Sequence, residues 1–165
     1  MMRSIIPLDK DMINKHMTPI FLYLNERFGP DAVQAEGEDQ ISLAVDERLI
    51  LLHHFEVSEK LLMATGIAPL PENGREQLCL ALLQGQYFFH KTSGMTLAVD
   101  TEARFVVLQL CVDADAKLMD DFATILENFV HVAAYWAETC RRLGEGAASP
   151  SAEVPLDLLT SGLRV

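Results

Sequence analysis

The chain has 165 residues, half of them apolar and 22% charged, a composition suited to one domain with its own core and not to wholesale disorder. Thirteen Lys and Arg stand against 24 Asp and Glu, a formal net charge of −11. That balance weighs against nucleic acid or anionic lipid as the partner, because both are held by a basic face that neutralises phosphate.

The N-terminal Met1–Pro7 lacks a long apolar stretch, so no secretory signal is expected. No apolar run approaches the roughly 20 residues that cross a bilayer. The first predicted helix ends at Phe28-Gly29-Pro30, where glycine stops it and proline prevents its return. Thr18 and Pro19 read as its N-cap and first-turn pair, with Ile20, Phe21, Leu24 and Phe28 recurring at helical spacing.

Residues 31–40 are polar and contain glycine, which reads as a loop. Ile41, Leu43 and Val45 then alternate with small or polar residues, a half-buried strand. Leu49–Val57 and Leu61–Ile67 are the second and third strands; the short connections imply an antiparallel meander. Pro69–Gly74 breaks the sheet. A helix follows over about 75–88, then a hairpin of Met95–Asp100 and Ala103–Val112.

The last long element has Asp115 placed to cap it, acids Asp120 and Asp121 early and Arg141 and Arg142 late, in keeping with the helix dipole. Leu118, Phe122, Ile125, Phe129, Val132, Trp136, Cys140 and Leu143 form one apolar stripe along it. Trp136 reads as a core residue. From Glu145 onward Gly, Ala, Ser and Pro suggest a flexible tail. The expected fold is therefore α+β: a five-stranded antiparallel sheet with three helices in α-β-β-β-α-β-β-α order, one domain over 1–144 and a tail over 145–165.

Reactive chemistry is hard to find. His53 and His54 are adjacent on a strand and point to opposite faces, so they do not share one ion; one packed and one solvated ring is expected. Asp113, Asp115, Asp120 and Asp121 lack the glycine and distal glutamate of a calcium loop and read as caps. No phosphate-binding loop or nucleophile elbow is present. Cys79, Cys111 and Cys140 lie in apolar periodic segments and read as buried free thiols of a reducing, cytoplasmic protein. No catalytic residue, metal ligand or cofactor is assigned.

What stands out is surplus apolar surface. Ile20–Leu24 run consecutively on the first helix, and Leu49–Leu52 are apolar on both faces of their strand. Such surface is buried by the monomer, by self-association or by a partner.

In order and local pattern the chain resembles the class I type III secretion chaperones, the Tir chaperone family, over about residues 15–143. The resemblance is carried by Asn25–Gly29, Leu82–Phe88, Gly94–Asp100, Val106–Leu110, and Leu118–Leu143 with Ala134-Tyr135-Trp136. Gln86 departs from it, since the family often places Asn slightly earlier in this helix; Pro19 and the long tail depart too.

The resemblance implies a cytoplasmic homodimer, not an enzyme, that binds the N-terminal segment of a secreted effector in extended form and keeps it soluble. Met17, Phe21, Leu24, Leu43, Val45, Leu49 and Leu51 are the candidate client contacts, from apolar placement and resemblance together. Leu78, Leu82, Gln86, Phe105 and Val107 are the candidate dimer contacts on the same grounds. Two other readings stay open: sequestration of a regulatory protein of the secretion system, and a small-molecule binder or enzyme with His53, His54 or Cys111 lining a helix–sheet pocket.

Overall fold

Alternation of side chains across a pleated strand decides which residues are hidden here. The computed structural model describes residues 13–144; expectations for the first residues and the C-terminal tail fall outside them. Helix α1 (Met17–Phe28) leads into strands β1 (Val33–Ala35), β2 (Gln40–Val45), β3 (Arg48–Phe55) and β4 (Lys60–Pro69). Helix α2 (Arg75–Gln86), a single 3₁₀ turn over Tyr87–Phe89, β5 (Thr96–Asp100), β6 (Phe105–Asp113) and helix α3 (Leu118–Leu143) complete the order.

The strands form one antiparallel sheet in the order β1-β2-β3-β4-β6-β5. The β2–β3 connection is the two-residue turn Asp46-Glu47 with φ of 47° and 65°. Two positive φ values match the right-handed twist of a hairpin, which explains so tight a connection. β6 enters between β4 and β5, so α2 carries the chain from β4 to the edge strand β5.

One sheet face carries the core. Ile41 and Leu43 of β2, Ile50 and Leu52 of β3, Leu61 and Met63 of β4, and Val106 and Leu108 of β6 point toward the helices. They meet Met17, Ile20 and Leu24 of α1 and Phe122, Phe129 and Trp136 of α3, all buried. Each large side chain so placed contributes about 1.5–3 kcal/mol relative to exposure. The alternate residues Leu51, Ala64, Phe105 and Val107 form a small second cluster on the other face.

Several expectations are corrected. Among the described residues the sheet has six strands, not five. The extra strand, β1, lies in the segment read as a loop: three residues with only Val33 and Ala35 pointing inward are too short for a periodic signal. α1 starts at Met17, before Thr18, because the carboxamide oxygen of Asn14 accepts from His16 N (3.0 Å) and Met17 N (2.9 Å). Thr18 lies inside the helix and donates its hydroxyl to Asn14 O. α2 ends at Gln86, short of Phe88, whose φ of 52° no helix accommodates.

Cys79 and Cys111 are exposed; only Cys140 is buried. Cys79 sits on the outward side of α2, and Cys111 on the sheet face away from the helices. Asp115 is not the N-cap of the last helix, which is Lys117 without a side-chain cap bond; the Asp115 carboxylate accepts from Lys117 N at 2.9 Å in the turn just before it.

Candidate partner-binding surfaces

Where α1 stops, its last side chains spread over the gap between sheet and α3. Gly29 (φ 86°) ends the helix and its N–H donates to Asn25 O. Phe28 then covers one side of a groove that also takes in Val45 at the end of β2 and Leu126, Val130 and Ala134 on successive turns of α3. The cavity measures about 350 Å³. Its floor is apolar and its rim is charged, with Arg27 paired to Glu127 at 3.0 Å and His131 beside them. An exposed ion pair of this kind is worth about 0–1 kcal/mol and parts readily.

Beyond this groove lies the sheet edge. Among the described residues β1 pairs with β2 on one side only, so its outer N–H and C=O groups have no strand partner there. Such an edge can accept a further strand.

A second surface lies on α2. Leu78, Leu82 and Gly85 face inward, which leaves Leu80, Leu83 and Tyr87 on the outer side at helical spacing. Phe88 and Phe89 follow, 81% and 51% exposed, both in the left-handed region with φ of 52° and 56°. A left-handed conformation is costly for a bulky residue, by about 1–3 kcal/mol in sparsely populated regions. Five large apolar side chains thus stand in water, two of them on strained backbone.

The client candidates do not form one surface. Met17, Leu24 and Leu43 are fully buried in the core and Phe21 packs partly against it. Val45 lines the groove, Leu49 is half-buried, and Leu51 lies in the second cluster on the far face. Among the dimer candidates Leu78 and Leu82 belong to the core, while Phe105 and Val107 join Leu51. Gln86 accepts from Leu97 N at 2.6 Å through its carboxamide oxygen and ties α2 to β5.

Sequence reasoning passed over Phe28, Val130 and Ala134 in the groove and Leu80, Leu83, Tyr87, Phe88 and Phe89 on α2. For the latter a signal existed: positions 80, 83 and 87 make a second apolar stripe, out of phase with 78, 82 and 85.

Asp113 pairs with Lys60 at 2.5 Å, and the Asp100 carboxylate accepts from Glu102 N and Ala103 N in the hairpin turn. Burial pushes the Cys140 thiol up to about 11. His53 is held below its ordinary range, mainly by burial and against the opposing pull of Asp39. No described helix is long and apolar enough to cross a membrane.

Residues 23–137, well over half of the chain, match the Tir chaperone protein (CesT) family. The fold is similar to a chain of the HopA1-SchA chaperone-effector complex, with a TM-score of 0.59 and 14% identity over 80% of this chain and 99% of that one. It is similar to a chain of the heterodimeric ExoU-SpcU complex from the type III secretion system of Pseudomonas aeruginosa, with a TM-score of 0.57 and 18% identity over 78% and 99%. A chain of the ExsC-ExsE complex aligns with a TM-score of 0.55 and 21% identity over 73% and 90%. No curated protein matches the chain.

Proposed function

Because the chain belongs to the Tir chaperone (CesT) family, we propose that it is a type III secretion chaperone. In this reading it holds the N-terminal segment of an effector in the bacterial cytoplasm, extended and competent for secretion. The observation that carries the client site is the apolar groove between Phe28, Val45 and the Leu126–Val130–Ala134 side of α3. It has the size to receive one or two apolar side chains of an extended peptide. The β1 edge beside α1 offers backbone groups to the same peptide, so main-chain pairing and side-chain pockets act together.

Ordering a flexible segment costs roughly 2–5 kcal/mol or more of the contact energy, so the client must bury a large apolar area. Binding of this kind requires no nucleotide and no reactive group.

The protomer is proposed to pair with a second copy through the outer face of α2 and the Phe88-Phe89 turn. Five exposed apolar side chains there are more than scattered surface residues explain. The earlier candidates Leu78, Leu82 and Gln86 then act as the support on which this face is built, while Phe105 and Val107 lie on the opposite face of the sheet.

Filling the groove tests the client site. Ala134 is exposed, so Ala134→Arg leaves the core intact while blocking the cavity. Loss of a co-purifying effector segment with unchanged protomer stability supports the assignment; undiminished binding contradicts it.

A further inference from the structure

At the opposite end of α1 from the groove, three side chains from distant parts of the chain converge. His16 stands at the start of α1, His54 near the end of β3, and Glu59 in the turn that follows. The His16 Nε2 atom lies 3.6 Å from Glu59 Oε2, and His54 Nε2 lies 3.8 Å from the same oxygen. His54 is only 1% exposed, and its Nε2 is a buried polar atom without a hydrogen-bond partner among the described residues. All three ligand-type atoms fall within 4.8 Å of one another.

We propose that His16, His54 and Glu59 bind a divalent transition ion of the zinc class, with water in the fourth position. Two imidazoles and one carboxylate are a donor set suited to zinc. Bonds of roughly 2.0–2.2 Å in tetrahedral arrangement put ligand atoms about 3.3–3.5 Å apart. The two observed separations from Glu59 are within a few tenths of an ångström of that. Glu59 is exposed and its side chain can close the difference. The two rings are stacked with centroids 4.6 Å apart and planes at 15°. The half-exposed His16 ring must therefore turn before both nitrogens face one ion.

Asn14 sets the cost of loading. Its Oδ1 accepts from two backbone N–H groups, so its Nδ2 faces His54 Nδ1 at 3.3 Å and makes that nitrogen the acceptor. The ring proton then resides on Nε2, 3.8 Å from the Glu59 carboxylate and beyond hydrogen-bond reach of it. An ion displaces that proton, and Nδ1 must carry one instead, facing an amide that has only hydrogens to offer. A carboxylate at position 14 would accept from Nδ1–H and still cap α1, the outer-shell arrangement that strengthens histidine–zinc bonds.

The proposal is independent of the chaperone reading and is tested on the full chain with zinc chloride. Cys79 and Cys111 are changed to Ser, since exposed thiols also take zinc. Calorimetric titration is expected to show one ion per chain. At about a hundredfold its dissociation constant, the ion raises Tm by roughly 5–10 °C. Glu59→Gln, a surface change, and His16→Ala, at a partly buried ring, weaken binding more than about a hundredfold, beyond the 10- to 100-fold typical of outer-shell losses. Asn14→Asp tightens it at least about tenfold. Absence of binding below millimolar zinc, binding that survives His16→Ala and Glu59→Gln, or an unchanged affinity in Asn14→Asp overturns the assignment.

Discussion

Gly85 and Trp136 meet so closely that a Cβ at position 85 would lie 2.1 Å from Cζ2 of the indole. The absence of a side chain at Gly85 of α2 is what lets the buried Trp136 of α3 approach so closely, with Nε1–H donating to Lys91 O at 3.0 Å. Through this contact the long helix fixes both α2 and the loop that follows.

Gly85→Ala overfills that contact. Backbone and ring must shift, and overpacking of this kind costs typically about 1–3 kcal/mol. Urea unfolding followed by fluorescence of the single tryptophan reads both the loss and the altered ring environment.

Gln86→Ala removes the acceptor for Leu97 N–H on the edge strand β5. An unpaired amide costs about 1–3 kcal/mol, less where water can reach it. Hydrogen exchange at the Leu97 amide is predicted to accelerate selectively, with the central strands β4 and β6 unchanged.

Phe88→Gly relieves a φ of 52° and removes an exposed ring. In the proposed dimer the same change removes an anchor. The predicted result is a protomer that stays folded while the dimer dissociates at higher concentration, measured by sedimentation. Leu83→Glu acts in the same direction without altering the backbone.

Thiol labelling separates the three cysteines. Cys140 is buried with its thiol raised to about 11, so it resists iodoacetamide at neutral pH. Cys111 is labelled in the native protein. Cys79 lies on the outer face of α2 and is predicted to label slowly in the dimer and quickly in Leu83→Glu, read by mass spectrometry.

His53 gives a pH dependence of known sign. Its folded value lies below the ordinary 6.5, chiefly through burial, so the unfolded chain takes up the proton first as pH falls. The contribution is present above about 6.5 and is lost as pH falls from there toward the folded value. His53→Gln is predicted to flatten the stability profile in that window, measured by urea midpoints between pH 5 and 8 (a range of about three units around the ordinary histidine value).

Much of the architecture was legible because long, periodic segments announce themselves. The stripe from Leu118 to Cys140 and the alternation in Ile41, Leu43 and Val45 place the core side directly. β1 was hidden because three residues carry too little pattern. The client and dimer assignments were harder, since apolar type alone does not say which side of an element faces out. Leu78 and Leu82 look no different in sequence from Leu80 and Leu83, yet the first pair is in the core and the second in water. The convergence of His16, His54 and Glu59 depends on tertiary placement, which no local spacing reveals.

The most direct measurement is the mass, by light scattering, of the full chain co-purified from its native cell, before and after removal of the bound protein's N-terminal segment. The account predicts two copies of the 18.4 kDa chain with one effector held through that segment, and loss of the effector when the segment is deleted or Ala134→Arg blocks the groove. A stable monomer that retains no secreted protein would contradict it.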